Sequence, residues 1–482
     1  MRSLFHLFFL ALLCAACGHP SPAPAAAPAI DEKRPNILLL VADDLGWADL
    51  NCYGNPLIET PNLDALARRG VQFLEGYAAA PVCSPSRASI QTGLHPARLG
   101  LTEHIHGYQD DPEWPLSPPR IPQGLDLSYE TIGELAQRAD YFTAHVGKWH
   151  LGNDAFHPAK QGYDRTFASG AQGLPRSFYY PFFDEQAFPD LLAATKEGDY
   201  LTDALTDHTL ALMQEWEGAN WLISLNFYAP HVPIEGRKDW VAHYQQVIAD
   251  THYRQFPTLE YAAMVSVIDE NVGRLVDALE ESGQLDSTLI IFLSDNGGLH
   301  VREVSGYDQH TPPTDNGILR AGKGYLFEGG LRVPFIVHYP AIATTERALM
   351  EPVVTTDIFP TLCDLLGRND YSPSPDGRSL LPLLRGETQA ERTLYWHFPH
   401  YSPQGGKPAA AVRQGDHKLY LDYETDSLTY YNVRALPNES RGLPMAPQEA
   451  RYLWDNLRSW KREVKAKEAT LRGSTNLRQS VD

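Results

Sequence analysis

Short, unbroken apolar runs alternate with amphipathic stretches through most of this chain. Asn36–Ala42 (NILLLVA) reads as a strand buried on both faces. Tyr141–Val146, Trp221–Asn226 (WLISLN), Thr288–Leu293 (TLIIFL) and Val333–His338 (VPFIVH) repeat that pattern. Between the runs, apolar residues recur at helical spacing. Thr60 caps a helix that Pro61 opens; Leu63, Leu66 and Ala67 share one face, and Gly70 ends it. Leu127–Arg138, Leu201–Trp216 and Leu259–Gly283 read as further helices. Strands alternating with helices predict an α/β domain over residues 35–385, built on a doubly wound, mostly parallel sheet.

The pattern changes near residue 385. Segments 393–398 (TLYWHF), 409–414, 418–422 and 428–433 are short, aromatic and alternating, which predicts an antiparallel sheet. Residues 447–466 follow as an amphipathic helix, so 386–482 is expected to form a smaller C-terminal antiparallel α+β domain ending in a polar tail from about residue 470. At the other end, Arg2 precedes an apolar run, Leu4–Ala16, too short to span a bilayer. Residues 1–17 are therefore expected to be a signal peptide and 18–34 a Pro/Ala-rich linker. Cys17 sits where a bacterial lipoprotein is cleaved and lipidated, although Cys14 stands where such signals prefer leucine. Attachment to a membrane by a lipid on Cys17 and simple secretion both remain open; either way the chain is expected to be exported.

Composition narrows the function. A net charge of −20 argues against a nucleic-acid partner, and an anionic substrate would need a local cationic pocket to overcome the global field. Five cysteines, two of them in the signal region, are too few for a disulfide scaffold or a zinc module; whether Cys52 and Cys363 pair is not decided by spacing.

Candidate chemistry sits just after the apolar runs. Asp43 and Asp44 follow NILLLVA, Lys148 and His150 follow YFTAHV, His231 follows WLISLNFYAP, and Asp295 and Asn296 follow TLIIFLS. In a parallel sheet the carboxyl ends of the strands share one edge, where ligands bind, so these distant segments should converge. Asp43, Asp44, Asp295 and Asn296 offer only oxygen, which suits calcium or magnesium rather than zinc or copper. Cys83-Ser84-Pro85-Ser86-Arg87 reads as a loop entering a helix, a setting that favours an anion, with Arg87 as a fixed planar cation.

CSPSRASIQTG resembles the sulfatase signature of the alkaline-phosphatase-like superfamily. PNILLLVADDLGWADL, TPNLDALARRGVQF, GKWHLG, the His231-Val232-Pro233 step, LSDNGG and RAGKGYLFEGGLRVPF appear in the family's order, so the likeness runs from about Arg34 to the end. The resemblance implies that Cys83 is oxidised by a formylglycine-generating enzyme to formylglycine (3-oxoalanine). Its aldehyde hydrates to a diol; one hydroxyl attacks sulfur, and the other expels sulfate. It implies calcium, with magnesium the alternative, bound by Asp43, Asp44, Asp295, Asn296 and residue 83. Arg87, Lys148 and Lys323 are expected to neutralise the sulfate; His231, helped by Lys323, is the expected acid on the leaving oxygen, and His150 the expected base on the diol.

The resemblance is to carbohydrate sulfatases, so the expected substrate is a sulfated sugar from polysaccharide. His400 and His397 in WHFPHY, and His104 and His106 after the signature helix, are candidate sugar contacts, though the aromatic stripe could equally be core. Rival readings are a phosphonate or phosphodiester hydrolase of the same superfamily, and a catalytically silent glycan-binding protein if Cys83 is not matured.

Overall fold

The computed structural model describes residues 34–472, except 106, 108, 185–186, 252–256, 303–309, 340–343, 369, 372–373 and 445. The signal segment, Cys17, nearly all of the linker, His106 and the end of the polar tail lie outside the described residues.

Eight strands form the large sheet: β1 (Asn36–Ala42), β2 (Val71–Phe73), β3 (Phe142–Gly147), β4 (Arg165–Phe167), β5 (Trp221–Asn226), β6 (Thr288–Ser294), β7 (Phe335–His338) and β8 (Ala348–Leu349). Their spatial order is β8-β2-β7-β6-β1-β5-β3-β4. All neighbours pair in parallel except at β7, which runs against both β2 and β6. Pro334, which has no amide hydrogen to donate, precedes β7 and shortens the expected Val333–His338 strand.

The unbroken apolar runs have a simple cause. Leu38, Leu40 and Ala42 of β1 face one core, while Ile37, Leu39 and Val41 face a second core on the opposite side of the sheet. The first core is closed by α1 (Pro61–Arg69), α4 (Leu201–Glu215) and α6 (Leu259–Glu281). The second is closed by α2 (Cys83–Thr92), α3 (Ile132–Gln137) and α7 (Ile358–Leu366). An exposed-faced helix, α5 (Lys238–Thr251), went unnoticed in the sequence pattern and packs on α6.

Two expected details change. The helix expected from Leu127 begins only at Ile132, because Thr131 and Glu134 form a capping box that fixes its start. Thr60 stands at the N-cap of α1 without capping it; its hydroxyl donates to Asp64 Oδ1 instead. Cys52 and Cys363 are both free thiols. Cys52 packs against the first core and Cys363 lies in the second, so the sheet separates them and no bridge forms.

The C-terminal sheet is antiparallel in chain order: β9 (Thr393–Phe398), β10 (Ala409–Gln414), β11 (His417–Asp422) and β12 (Ser427–Asn432). One face (Leu394, Trp396, Phe398, Ala409, Ala411) packs on Tyr77, Val82, Leu326 and Leu331. The other face packs on α8 (Pro447–Glu463) through Leu453, Leu457 and Trp460. Thr470 and Leu471, expected at the start of a tail, pair with Ser117 and Leu116.

Candidate active site

Strands β1, β3, β5 and β6 deliver their polar residues to one sheet edge, as parallel topology requires. Asp43 and Asp44 leave β1, Lys148 and His150 leave β3, Asn226 ends β5 with His231 beyond it, and Asp295 and Asn296 leave β6. Asp44 and His150 have φ of 64° and 55°, left-handed values that aspartate and histidine tolerate better than most residues. Cys83 opens α2 at this edge and lies 3.6 Å from Asp43 Oδ1 through its sulfur.

Charge is matched and buried. Arg87 donates from Nε to Asp295 Oδ2 at 2.8 Å and from Nη1 to the Lys148 carbonyl at 2.9 Å. Lys148 Nζ donates to Asp43 Oδ2 at 2.6 Å, and Lys323 Nζ donates to Asp44 Oδ2 at 2.7 Å. Asn296 Nδ2 donates to Asp44 Oδ1 at 2.7 Å, and the Asp44 amide donates to Asp295 Oδ1 at 3.2 Å. Three carboxylates thus stand against three cations, with no residue of the cluster more than slightly exposed.

Burial pushes Asp43 up to about 7; Lys148 opposes this, while the nearby Asp295 adds to it. Burial pushes Asp44 upward too, but Lys323, His231 and Lys148 together hold it below the usual carboxylate range. The Cys83 thiol is raised by burial despite Lys148 and Lys323, so at neutral pH it is protonated and a poor nucleophile.

The histidines have defined roles as acceptors. Lys323 Nζ lies 2.8 Å from His231 Nε2, and an ammonium can only donate. His231 is therefore neutral, with its proton on Nδ1, which donates to the Val232 carbonyl at 2.9 Å. Burial first and Lys323 second drive its pKa far below normal. His150 is likewise kept neutral, by burial first and by Lys148 second. Its Nε2 lies 3.3 Å from the Ile105 carbonyl and its Nδ1 is buried without a partner.

A family model described as Sulfatase matches residues 35–368. The chain belongs to the sulfatase family. A second model, N-sulphoglucosamine sulphohydrolase, C-terminal, matches residues 321–465. The sulfatase is 32% identical to human arylsulfatase A over 407 residues, covering 81% of this chain and 75% of that protein. It is 30% identical to human N-acetylgalactosamine-6-sulfatase over 422 residues, covering 82% and 73%. The crystal structure of Ps i-CgsB in complex with k-i-k-neocarrahexaose superposes with a TM-score of 0.73 at 28% identity, covering 90% of this chain and 94% of that one. The sulfatase is accordingly a sulfuric ester hydrolase of alkaline-phosphatase-like fold.

The expected metal and catalytic residues of this sulfatase come together, and donor atoms of Asp43, Asp44, Cys83 and His231 lie within 4.8 Å of one another. The histidines expected to contact sugar lie in different surroundings. His400 is buried beside Thr102, its Nε2 2.8 Å from the Thr102 hydroxyl, and His104 lies with its ring centroid 6.4 Å from that of His150. His397 has both ring nitrogens occupied by protein groups. The strand's two-residue period turns Trp396 toward Tyr77, Val82 and Leu331 and His397 the other way, where Tyr423 Oη and the Lys467 carbonyl occupy both ring nitrogens at 2.8 Å.

Sequence reasoning missed Asn226, whose Oδ1 takes Arg87 Nη1 at 3.3 Å, although it ends an apolar run as the other site residues do. It also missed Ser84, whose hydroxyl donates to the His150 carbonyl at 2.8 Å and accepts from the Ile105 amide at 3.0 Å.

Proposed function

We propose that this sulfatase hydrolyses sulfate esters of sulfated sugars, using a formylglycine made from Cys83 and a bound divalent cation, calcium by preference. The observation that carries the mechanism is a set of buried polar atoms left without hydrogen-bond partners in one cluster: Asn296 Oδ1, Arg87 Nη2 and His150 Nδ1. A buried orphan is costly unless a ligand satisfies it. Asn296 Oδ1 is an acceptor among carboxylates and fits a hard cation; Arg87 Nη2, 3.6 Å from Asp43, is a donor and fits an anionic oxygen. Sugar specificity is supported by relatives whose names or ligands are carbohydrate.

Asp43, Asp44, Asp295 and Asn296 would hold the cation, which supplies Lewis-acid polarisation of the ester. The matured residue 83 supplies a hydrated aldehyde as nucleophile, a capacity the raised thiol lacks. Arg87 and Lys148 bind sulfate oxygens and spread the transition-state charge. The proton for the leaving oxygen is held by the Lys323–His231 pair: Lys323 Nζ carries it, and His231 Nε2 orients it. His150 Nδ1, neutral and unpartnered, accepts the nucleophile's proton. Export, with Cys17 available for a lipid, would place this chemistry outside the cytoplasm.

The test is protein made with a formylglycine-generating enzyme, assayed on 4-nitrophenyl sulfate, the matching aryl phosphonate and a panel of monosulfated sugars. The peptide containing residue 83 should show the mass change of CH2SH becoming CHO. Activity should follow that conversion, fall on chelation and return with calcium. Full turnover by the unmodified thiol would overturn the mechanism; a preference for the phosphonate would overturn the substrate class.

A further inference from the structure

Glu103 is a buried carboxylate that the chemistry above leaves without a task. It is 1% exposed, and its Oε1 accepts two hydrogen bonds from the next residue: the His104 amide at 2.8 Å and His104 Nδ1 at 2.6 Å. In a neutral histidine, a carboxylate at Nδ1 holds the proton on that nitrogen and leaves Nε2 as an acceptor. Nε2 has no partner among the described residues, and the His104 side chain is 29% exposed. Gly107 makes room for the ring, since a Cβ at that position would lie 1.8 Å from Nε2.

The 102–105 segment is fastened to the reaction centre on several sides. Thr102 Oγ1 meets His400 Nε2, the Ile105 amide donates to Ser84 Oγ beside Cys83, and the Ile105 carbonyl faces His150 Nε2. His104 therefore sits on a shelf braced by the nucleophile's neighbour, by the base and by His400. A ring nitrogen fixed in tautomer and position, part-exposed beside the base, is suited to reading one donor on the bound substrate.

We propose that Glu103 and His104 form a hydroxyl-reading pair. His104 Nε2 accepts a hydrogen bond from a free hydroxyl of the sugar ring that carries the sulfate, and Glu103 is the positioning residue that sets its tautomer. This rests on the sulfated-sugar reading above. An aryl sulfate has no such hydroxyl, so the pair contributes to sugar turnover and not to aryl-ester turnover. A site built to bond a hydroxyl discriminates against substrates that lack it.

The experiment compares matured wild type, His104→Ala and Glu103→Gln on 4-nitrophenyl sulfate and on monosulfated galactose and N-acetylgalactosamine, with melting curves for each. His104→Ala should lower kcat/KM on the preferred sugar by about 10- to 100-fold, mainly through KM, and change the aryl ester by no more than about twofold. Glu103→Gln should give a smaller loss confined to the sugar. Equal losses on both substrates, or an unchanged sugar kcat/KM, would overturn the pair's role and leave the sugar reading standing. A wild type that cleaves the aryl ester but no sugar would overturn that reading and this inference with it.

Discussion

Replacing Lys418 by methionine tests how the C-terminal sheet is held against Glu328 and the segments around it. Lys418 of β11 is fully buried; its Nζ donates to Glu328 Oε1 at 3.0 Å and stands 2.9 Å from Glu439 Oε1, within ion-pair reach. Glu328 Oε2 also takes Tyr77 Oη at 2.6 Å, Glu439 Oε2 takes the Glu328 amide at 2.7 Å, and Arg413 pairs with Glu75 at 2.5 Å. Methionine keeps most of the stem and removes the charge, which leaves Glu328 and Glu439 facing each other in a dry interface. Breaking a buried pair in this way costs about 3–5 kcal/mol. Burial, with Glu328 adding to it, already raises Glu439 despite Lys418, so the variant can relieve part of the penalty by taking up a proton. The loss should therefore be larger at pH 8 than at pH 5. Urea unfolding followed by tryptophan fluorescence is a suitable assay, because Trp396 lies 5.9 Å from Lys418 Nζ and reports opening of this interface. A loss below about 1 kcal/mol at pH 8, or one independent of pH, would refute the reasoning.

Other outcomes follow from the same geometry. Lys323→Met removes the ammonium from both Asp44 and His231, and kcat on an aryl sulfate should fall by about 10²–10⁴-fold with the fold retained by circular dichroism. Gly173→Ala would place a Cβ 2.6 Å from His150 Cε1, so the ring must shift and kcat should drop while the melting temperature barely moves. His397 is pushed down to about 3, chiefly by burial, against an unfolded value near 6.5. The unfolded chain then binds the extra proton, so this residue's contribution to stability is lost as pH falls below about 6.5, by about 1.4 kcal/mol at pH 5.5. His397→Gln should shrink the urea-midpoint difference between pH 7.5 and 5.5 accordingly; an unchanged difference would count against a neutral buried ring.

Much of the site was legible because one physical rule acts on residues far apart in the chain. Apolar runs buried on both faces mark central strands, and the carboxyl ends of parallel strands share one edge, which places Asp43, Lys148, His231 and Asp295 together. The same rule applied to WLISLN would have included Asn226. What stayed hidden depends on direction rather than pattern. An apolar run looks alike whichever way it runs, so the reversal of β7 was invisible. The face of a strand is fixed by its partner, so the assignment of His397 needed the knowledge that Trp396 packs on Tyr77 and donates to the Ala78 carbonyl. Glu103 was hidden for a further reason: it reaches no substrate itself, and a residue that acts through its neighbour's tautomer leaves no signal in spacing. The histidines show where sequence alone stops. His104, His397 and His400 carry the same side chain, yet only the free valences of their ring nitrogens separate a sugar contact from a structural post, and those valences are set by residues as distant as Thr102 and Lys467.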